Sequence, residues 1–123
     1  MIIAIDFDGT IVDDKYPEIG DLLPNAAETI QQLKKDGHFI IIWTCRAKKP
    51  LTDAVDFLHR HNIPFDSVNS HEPKNILTYG LGAVKVYADV YIDNNQVGEL
   101  PDWFEIYEFI NPKNTQIMNA TTS

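Results

Sequence analysis

Short apolar, β-branched runs, spaced by segments long enough for a helix, leave few folds open to this chain. Ile2–Ile5 and Phe39–Trp43 are continuously apolar and strand-length. Runs of that kind belong to strands buried on both faces, as in a parallel sheet covered by helices. Pro64–Asn69 reads as a short third strand with its approach, and Val86–Ile92 as a fourth.

The segments between them have helical periodicity. Pro24 opens a helix in which Ala26, Ala27, Ile30 and Leu33 recur on one face, and Gly37 stands where its C-terminal stop belongs. Leu51–His61 repeats the pattern with Ala54, Val55 and Leu58, and a last helix starts at Pro101 with Trp103, Ile106, Tyr107 and Ile110. Trp103, Phe104 and Tyr107 read as a core-facing stripe rather than a platform for stacking bases. Alternating strands and helices predict an α/β fold: a doubly wound, Rossmann-like, three-layer α/β/α sandwich around a mostly parallel sheet with right-handed crossovers. At 123 residues the chain is one domain's worth. That domain is expected over 1–110, with 111–123 a polar tail without periodicity and a candidate for disorder.

Composition narrows the function classes. Eighteen acids against ten bases give a net charge of −8, which disfavours a surface that grips nucleic acid or anionic lipid. No run approaches the roughly 20 apolar residues of a membrane span, and Met1–Ile5 lacks the basic start of a signal peptide. A single cysteine excludes an internal disulfide and fits a reducing compartment, so the cytoplasm is the expected location.

Parallel α/β sheets bind ligands beyond the carboxyl ends of their strands, where strand order reverses. Asp6 and Asp8 follow the first strand here, Thr44 the second and Asp93 the fourth, with Lys85 just ahead of that last strand. Carboxylates held together raise one another's pKa. A hard cation relieves this, and magnesium suits a few carboxylates, a carbonyl, waters and a substrate phosphate. A lysine for phosphoryl charge and a threonine to orient oxygens complete a set suited to phosphoryl transfer. An aspartate can then serve as nucleophile and a second as general acid/base.

Asp6-Phe7-Asp8-Gly9-Thr10 after an apolar strand resembles the first signature of the haloacid-dehalogenase-like phosphatases. Thr44 resembles their second, Lys85 their third, and Tyr91-Ile92-Asp93 their fourth, in the same order over residues 1 to about 110. The resemblance implies Asp6 as nucleophile, Asp8 as general acid/base, and Thr44 and Lys85 as holders of the phosphoryl group. It implies Mg2+ bound by Asp6, Asp93 and the backbone carbonyl of Asp8, and Gly9, Thr10, Cys45 and Arg46 as substrate-binding neighbours. By the same resemblance the carboxyl at Asp8 makes the chain look like a phosphatase, since dehalogenases lack it and ion-pumping ATPases carry threonine there.

Two departures stand out. Asn94 follows Asp93 where many relatives have a second acid, which should weaken magnesium binding. The gaps Ile11–Leu23 and Ser70–Val84 are too short for a cap domain, so an open site with at most a flap is expected. Such a site suits a macromolecular or bulky phosphoester, or is covered by a second copy of the chain.

Other residues read more plainly. Lys74 competes with Lys85 for the lysine role. Arg46, Lys48 and Lys49 form either a solvated loop or a rim attracting anions, and Asp13 and Asp14 belong to the flap. His59 and His61, two apart on a helix, do not share a face for a metal; His38 and His71 read as surface residues, Asp89 as a capping partner and Cys45 as half-buried packing. Two alternatives stay open: a catalytically weak relative that binds a phospho-ligand, and a receiver-like phospho-acceptor domain. The receiver pattern needs an acceptor aspartate after a middle strand, where this chain has Thr44.

Overall fold

The computed structural model describes residues 1–70, 72–73 and 85–112. The described elements are β1 (Ile2–Ile5), α1 (Ala26–Lys35), β2 (Phe39–Ile42), α2 (Lys48–Arg60), β3 (Ser67–Val68), β4 (Val90–Ile92) and α3 (Trp103–Ile110). All pairings are parallel, in the order β3-β2-β1-β4, with Ile3 beside Ile40 and Val90, and Ile5 beside Ile42 and Ile92. This is the α/β, Rossmann-like sheet that the apolar runs predict.

The pleat divides the strand residues between two cores. Ile3, Ile5, Ile40 and Ile42 pack under Ile30 and Leu33 of α1, Ala54 and Leu58 of α2, and Trp103, Ile106 and Ile110 of α3. Ala4 and Ile41 point the other way, onto Val86 and Ala88, with Phe39 and Trp43 at the margin. Both faces are therefore buried, which is why β1 and β2 read as unbroken apolar runs. The described helices all cover the first face. The second helical layer expected of a three-layer fold, and the tail from residue 113 onward, fall outside the described residues.

Several boundaries differ from expectation for local reasons. Helix α1 starts at Ala26, because Asn25 adopts a left-handed conformation (φ 65°) that cannot continue from Pro24. Helix α2 begins earlier, at Lys48; Pro50 falls in its first turn, where a missing N–H costs nothing. β4 is shorter because 86–88 folds over Tyr91. The Tyr91 hydroxyl donates to the Val86 carbonyl (2.6 Å) and accepts from Ala88 N–H (3.1 Å). β3 shrinks to two residues, since Asp66 uses its carboxylate to bind Ile40 N–H and Lys34. On α3, Asp102 caps Glu105 N–H at 2.9 Å, and Trp103 is buried while Phe104 is 59% exposed, so Phe104 does not join the core stripe. His38 is buried rather than on the surface, between the Met1 amine and Asn111.

The 11–23 segment is a flap with a fixed base. Ile11 and Val12 are fully buried, and the neck closes through Asp13 N–H to Asp21 O (2.8 Å) and Leu23 N–H to Ile11 O (2.9 Å). Gly20 is required there, because a Cβ would run into the Asp13 carbonyl. Among the described residues no helix is long and apolar enough to cross a membrane.

Candidate active site

The sheet grows from β1 to β2 to β3 on one side, then β4 joins β1 on the other. The strand order therefore reverses at β1, and Asp6, Thr44 and Asp93 follow the carboxyl ends of β1, β2 and β4. After β1 the backbone coils tightly. The Phe7 carbonyl accepts from Ile11 N–H (3.0 Å) and Gly9 N–H donates to Val12 O (2.7 Å). With the Phe7 side chain fully buried, the carboxylates on either side of it are left at the sheet edge.

On the β4 side, oxygens gather. Gly9 has φ +81°, and the Asn94 side chain lies where a Cβ would be, so glycine admits Asn94. Thr10 is fully buried; its carbonyl accepts from Trp103 Nε1 (3.1 Å) and its hydroxyl accepts from Asn94 N–H (3.0 Å). That hydroxyl lies 3.4 Å from Asp6 Oδ2. Thr10 thus ties Asp6, Asn94 and Trp103 together from beneath the sheet edge. With its nitrogen turned inward, the Asn94 amide stands 3.1 Å from Asp6 Oδ2, 3.1 Å from the Asp8 carbonyl and 3.3 Å from Asp93 Oδ1. Burial, reinforced by the Asp93 charge, pushes the Asp6 carboxyl up to about 7.

On the β2 side, the negative charge already has a partner. Arg46 grips Asp8 with two bonds, Nε to Oδ2 (2.8 Å) and Nη2 to Oδ1 (2.7 Å). Its remaining N–H groups reach the carbonyls of Pro17 (3.0 Å), Glu18 (2.8 Å) and Pro50 (3.1 Å). The Asp8 hydrogen bonds raise the Arg46 pKa still further. The Arg46 side chain is 1% exposed and lies 5.2 Å from the Phe7 and Tyr16 ring centroids. Arg46 is therefore neither a solvated loop residue nor an anion-attracting rim; it bolts Asp8 and the flap to the start of α2.

Thr44 sits between these regions. Its hydroxyl accepts from Arg46 N–H (3.1 Å), leaving the O–H hydrogen to donate outward. Asn69, just past β3, grips the Thr44 backbone through both amide atoms (2.8 and 2.9 Å). The sequence marks Asn69 only as the end of a short strand; an asparagine there carries no signal of this grip by itself. Cys45 is exposed and free, not half-buried. Lys85 is exposed, with its ammonium 4.9 Å from the Tyr91 ring centroid. Among the described residues no ion pair joins it to Asp6, Asp8 or Asp93. Lys74 and His71 lie outside the described residues.

No three His, Cys, Asp or Glu side chains cluster as a metal group among the described residues. The donor set is instead two carboxylates, Asp6 and Asp93, and the Asp8 carbonyl, all within 3.3 Å of the Asn94 amide. Two carboxylates and a carbonyl fit magnesium, which keeps several waters. A groove of about 540 Å³ lies elsewhere, between the flap and α2, lined by residues such as Glu18, Asp53 and Arg60. Asp6, Asp8 and Asp93 do not line it.

Residues 3–107 match the family described as haloacid dehalogenase-like hydrolase. The chain belongs to that family. Among solved structures it is similar to a conserved protein of Bacteroides thetaiotaomicron, with 39% identity, a TM-score of 0.83, and coverage of 92% of this chain and 91% of that one. No curated protein matches. Membership in the hydrolase family accords with the four signatures, which the fold carries to one end of β1, β2 and β4, with Lys85 on the approach to β4.

Proposed function

We propose that the protein is a magnesium-dependent phosphomonoester hydrolase that works through an aspartyl-phosphate. The observation that supports this reading is the gathering of Asp6, the Asp8 carbonyl and Asp93 within 3.3 Å of the Asn94 amide. Asp6, Asp93 and that carbonyl would hold Mg2+, which supplies positive charge for the nucleophile and the phosphoryl oxygens. An Asp6 oxygen attacks phosphorus, and the bond to the ester oxygen breaks. Asp8 gives that oxygen a proton, then takes one from the water that hydrolyses the aspartyl-phosphate. Thr44 donates to a phosphoryl oxygen and Lys85, on a flexible stem, balances its charge. Among the described residues a flap alone stands beside the sheet edge, so the substrate is a small phosphoester or a phosphorylated macromolecule, with a second copy of the chain as a candidate cover.

One observation favours a second reading, that of a phospho-ligand binder without turnover. Arg46 occupies both Asp8 oxygens, so Asp8 must release one before it can reach a leaving group. Phosphate release from an aryl phosphomonoester, with magnesium or chelator, separates the two. Activity that needs both the metal and Asp6, and falls to background in Asp6→Asn, supports the hydrolase. Saturable phosphate binding without turnover supports the binder, and full activity in Asp6→Asn overturns the nucleophile assignment.

A further inference from the structure

We propose that Asn69 is a positioning residue for phosphoryl binding: its side-chain amide stands in for a missing strand peptide and fixes the backbone on both sides of Thr44. The inference rests on the role given to Thr44 in the preceding reading and names a residue on which that role depends.

Strand β3 stops one rung short of Thr44. A ladder bond runs from Asn69 N–H to the Ile42 carbonyl (2.8 Å), and there the chain turns away. Asn69 has φ 53°, in the left-handed region. The turn is closed by Ser67 Oγ donating to the Ser70 carbonyl (2.9 Å) and Ser70 Oγ donating to the Val68 carbonyl (3.2 Å). The next rung on β2 belongs to Thr44, and the Asn69 side chain fills it. Its Oδ1 accepts from Thr44 N–H at 2.8 Å and its Nδ2 donates to the Thr44 carbonyl at 2.9 Å. Because these partners are a backbone N–H and a backbone carbonyl, their polarity fixes which way the amide faces.

Both peptide groups that flank Thr44 are thereby pinned. From the α2 side, Arg46 N–H donates to the Thr44 hydroxyl at 3.1 Å. With backbone and hydroxyl oxygen both held, the O–H hydrogen is left to donate to a phosphoryl oxygen. The residue type matters. A carboxamide carries the donor and the acceptor of a peptide group, whereas a carboxylate of the same size only accepts. Asparagine also enters the left-handed region more readily than most residues. A non-glycine residue held in that conformation at a candidate site points to a task for its side chain.

The test is a double-mutant cycle between Asn69 and Thr44 in the full chain, with magnesium and an aryl phosphomonoester. Asn69→Gly removes the amide and suits the left-handed backbone, so it is expected to melt close to wild type. Its kcat/KM is expected to fall by about 10–10²-fold, as when a reacting group is misplaced by about 1 Å. Placed in Thr44→Val, which has no hydroxyl to aim, the same change should alter kcat/KM by less than about twofold. Equal losses in the two backgrounds, or unchanged kcat/KM in Asn69→Gly, would overturn the positioning role and leave the hydrolase reading standing. Inorganic phosphate binding, read by calorimetry, runs the same cycle without turnover. Affinity should weaken about tenfold in Asn69→Gly, and by less than about twofold when Thr44→Val is already present. Phosphate binding by a wild type that turns nothing over would overturn the hydrolase reading, and the phosphate cycle alone would then uphold or overturn the role of Asn69. Absence of both turnover and phosphate binding in wild type would overturn both.

Discussion

Asp6 and Asp8 are two residues apart on one tight coil, yet the protein treats their charges in opposite ways. Asp8 faces the β2 side, where the buried Arg46 supplies a permanent cation through a two-bond grip. Asp6 faces the β4 side, where its charged neighbour is Asp93 and its carboxyl is pushed up to about 7. One carboxylate has its counter-charge built into the fold, and the other is left for something that arrives. Environments that separate neighbouring carboxyl groups also separate their chemical roles.

Substitutions can break this contrast. Asp8→Asn should slow turnover by about 10²–10⁴-fold, the usual loss when a general acid/base is removed. It should also destabilise the protein, because the Arg46 charge stays buried; unchanged turnover would remove Asp8 from the chemistry. Arg46→Met tests the built-in cation itself. Breaking one side of a buried pair costs about 3–5 kcal/mol, and the flap loses its ties to Pro17 and Glu18 as well. Urea unfolding should register that loss. A variant as stable as wild type would mean that Arg46 does not hold the β2 side together.

A smaller effect sharpens the Asp6 half. Its folded-state pKa of about 7 lies above the ordinary 3.8, so the folded chain binds more protons than the unfolded one between those values. Stability from this group is complete below about pH 4 and is lost as pH rises towards and through 7. Melting in chelator should therefore drop on this account between pH 5 and pH 8. Magnesium should reduce that drop, and Asp6→Asn, which has no proton to lose, should flatten it. Equal slopes in Asp6→Asn and wild type would assign the pH dependence elsewhere.

Much of the fold was legible in the sequence because burial on both faces leaves a direct mark. β1 and β2 stand within a residue of their apolar runs, and the aspartates expected at strand ends are there. β3 and β4 are shorter than their apolar runs because side chains share their flanks with ladder bonds: the Asp66 carboxylate takes the Ile40 N–H, and the Tyr91 hydroxyl folds back 86–88. The role of Arg46 is hidden in the sequence for a similar reason. An arginine beside two lysines looks solvated until the flap carbonyls that bind it are known, and those come from residues far away in sequence. Asn94 was noticed as a missing charge, whereas its donor capacity emerged only from the oxygens around it.

Acid-quenching the protein during turnover of an aryl phosphomonoester, followed by peptide mass mapping, tests the central claim most directly. The account predicts one added phosphoryl group on the peptide that carries Asp6, formed with magnesium and absent in chelator. Phosphate release with the phosphoryl group trapped on another residue would contradict it.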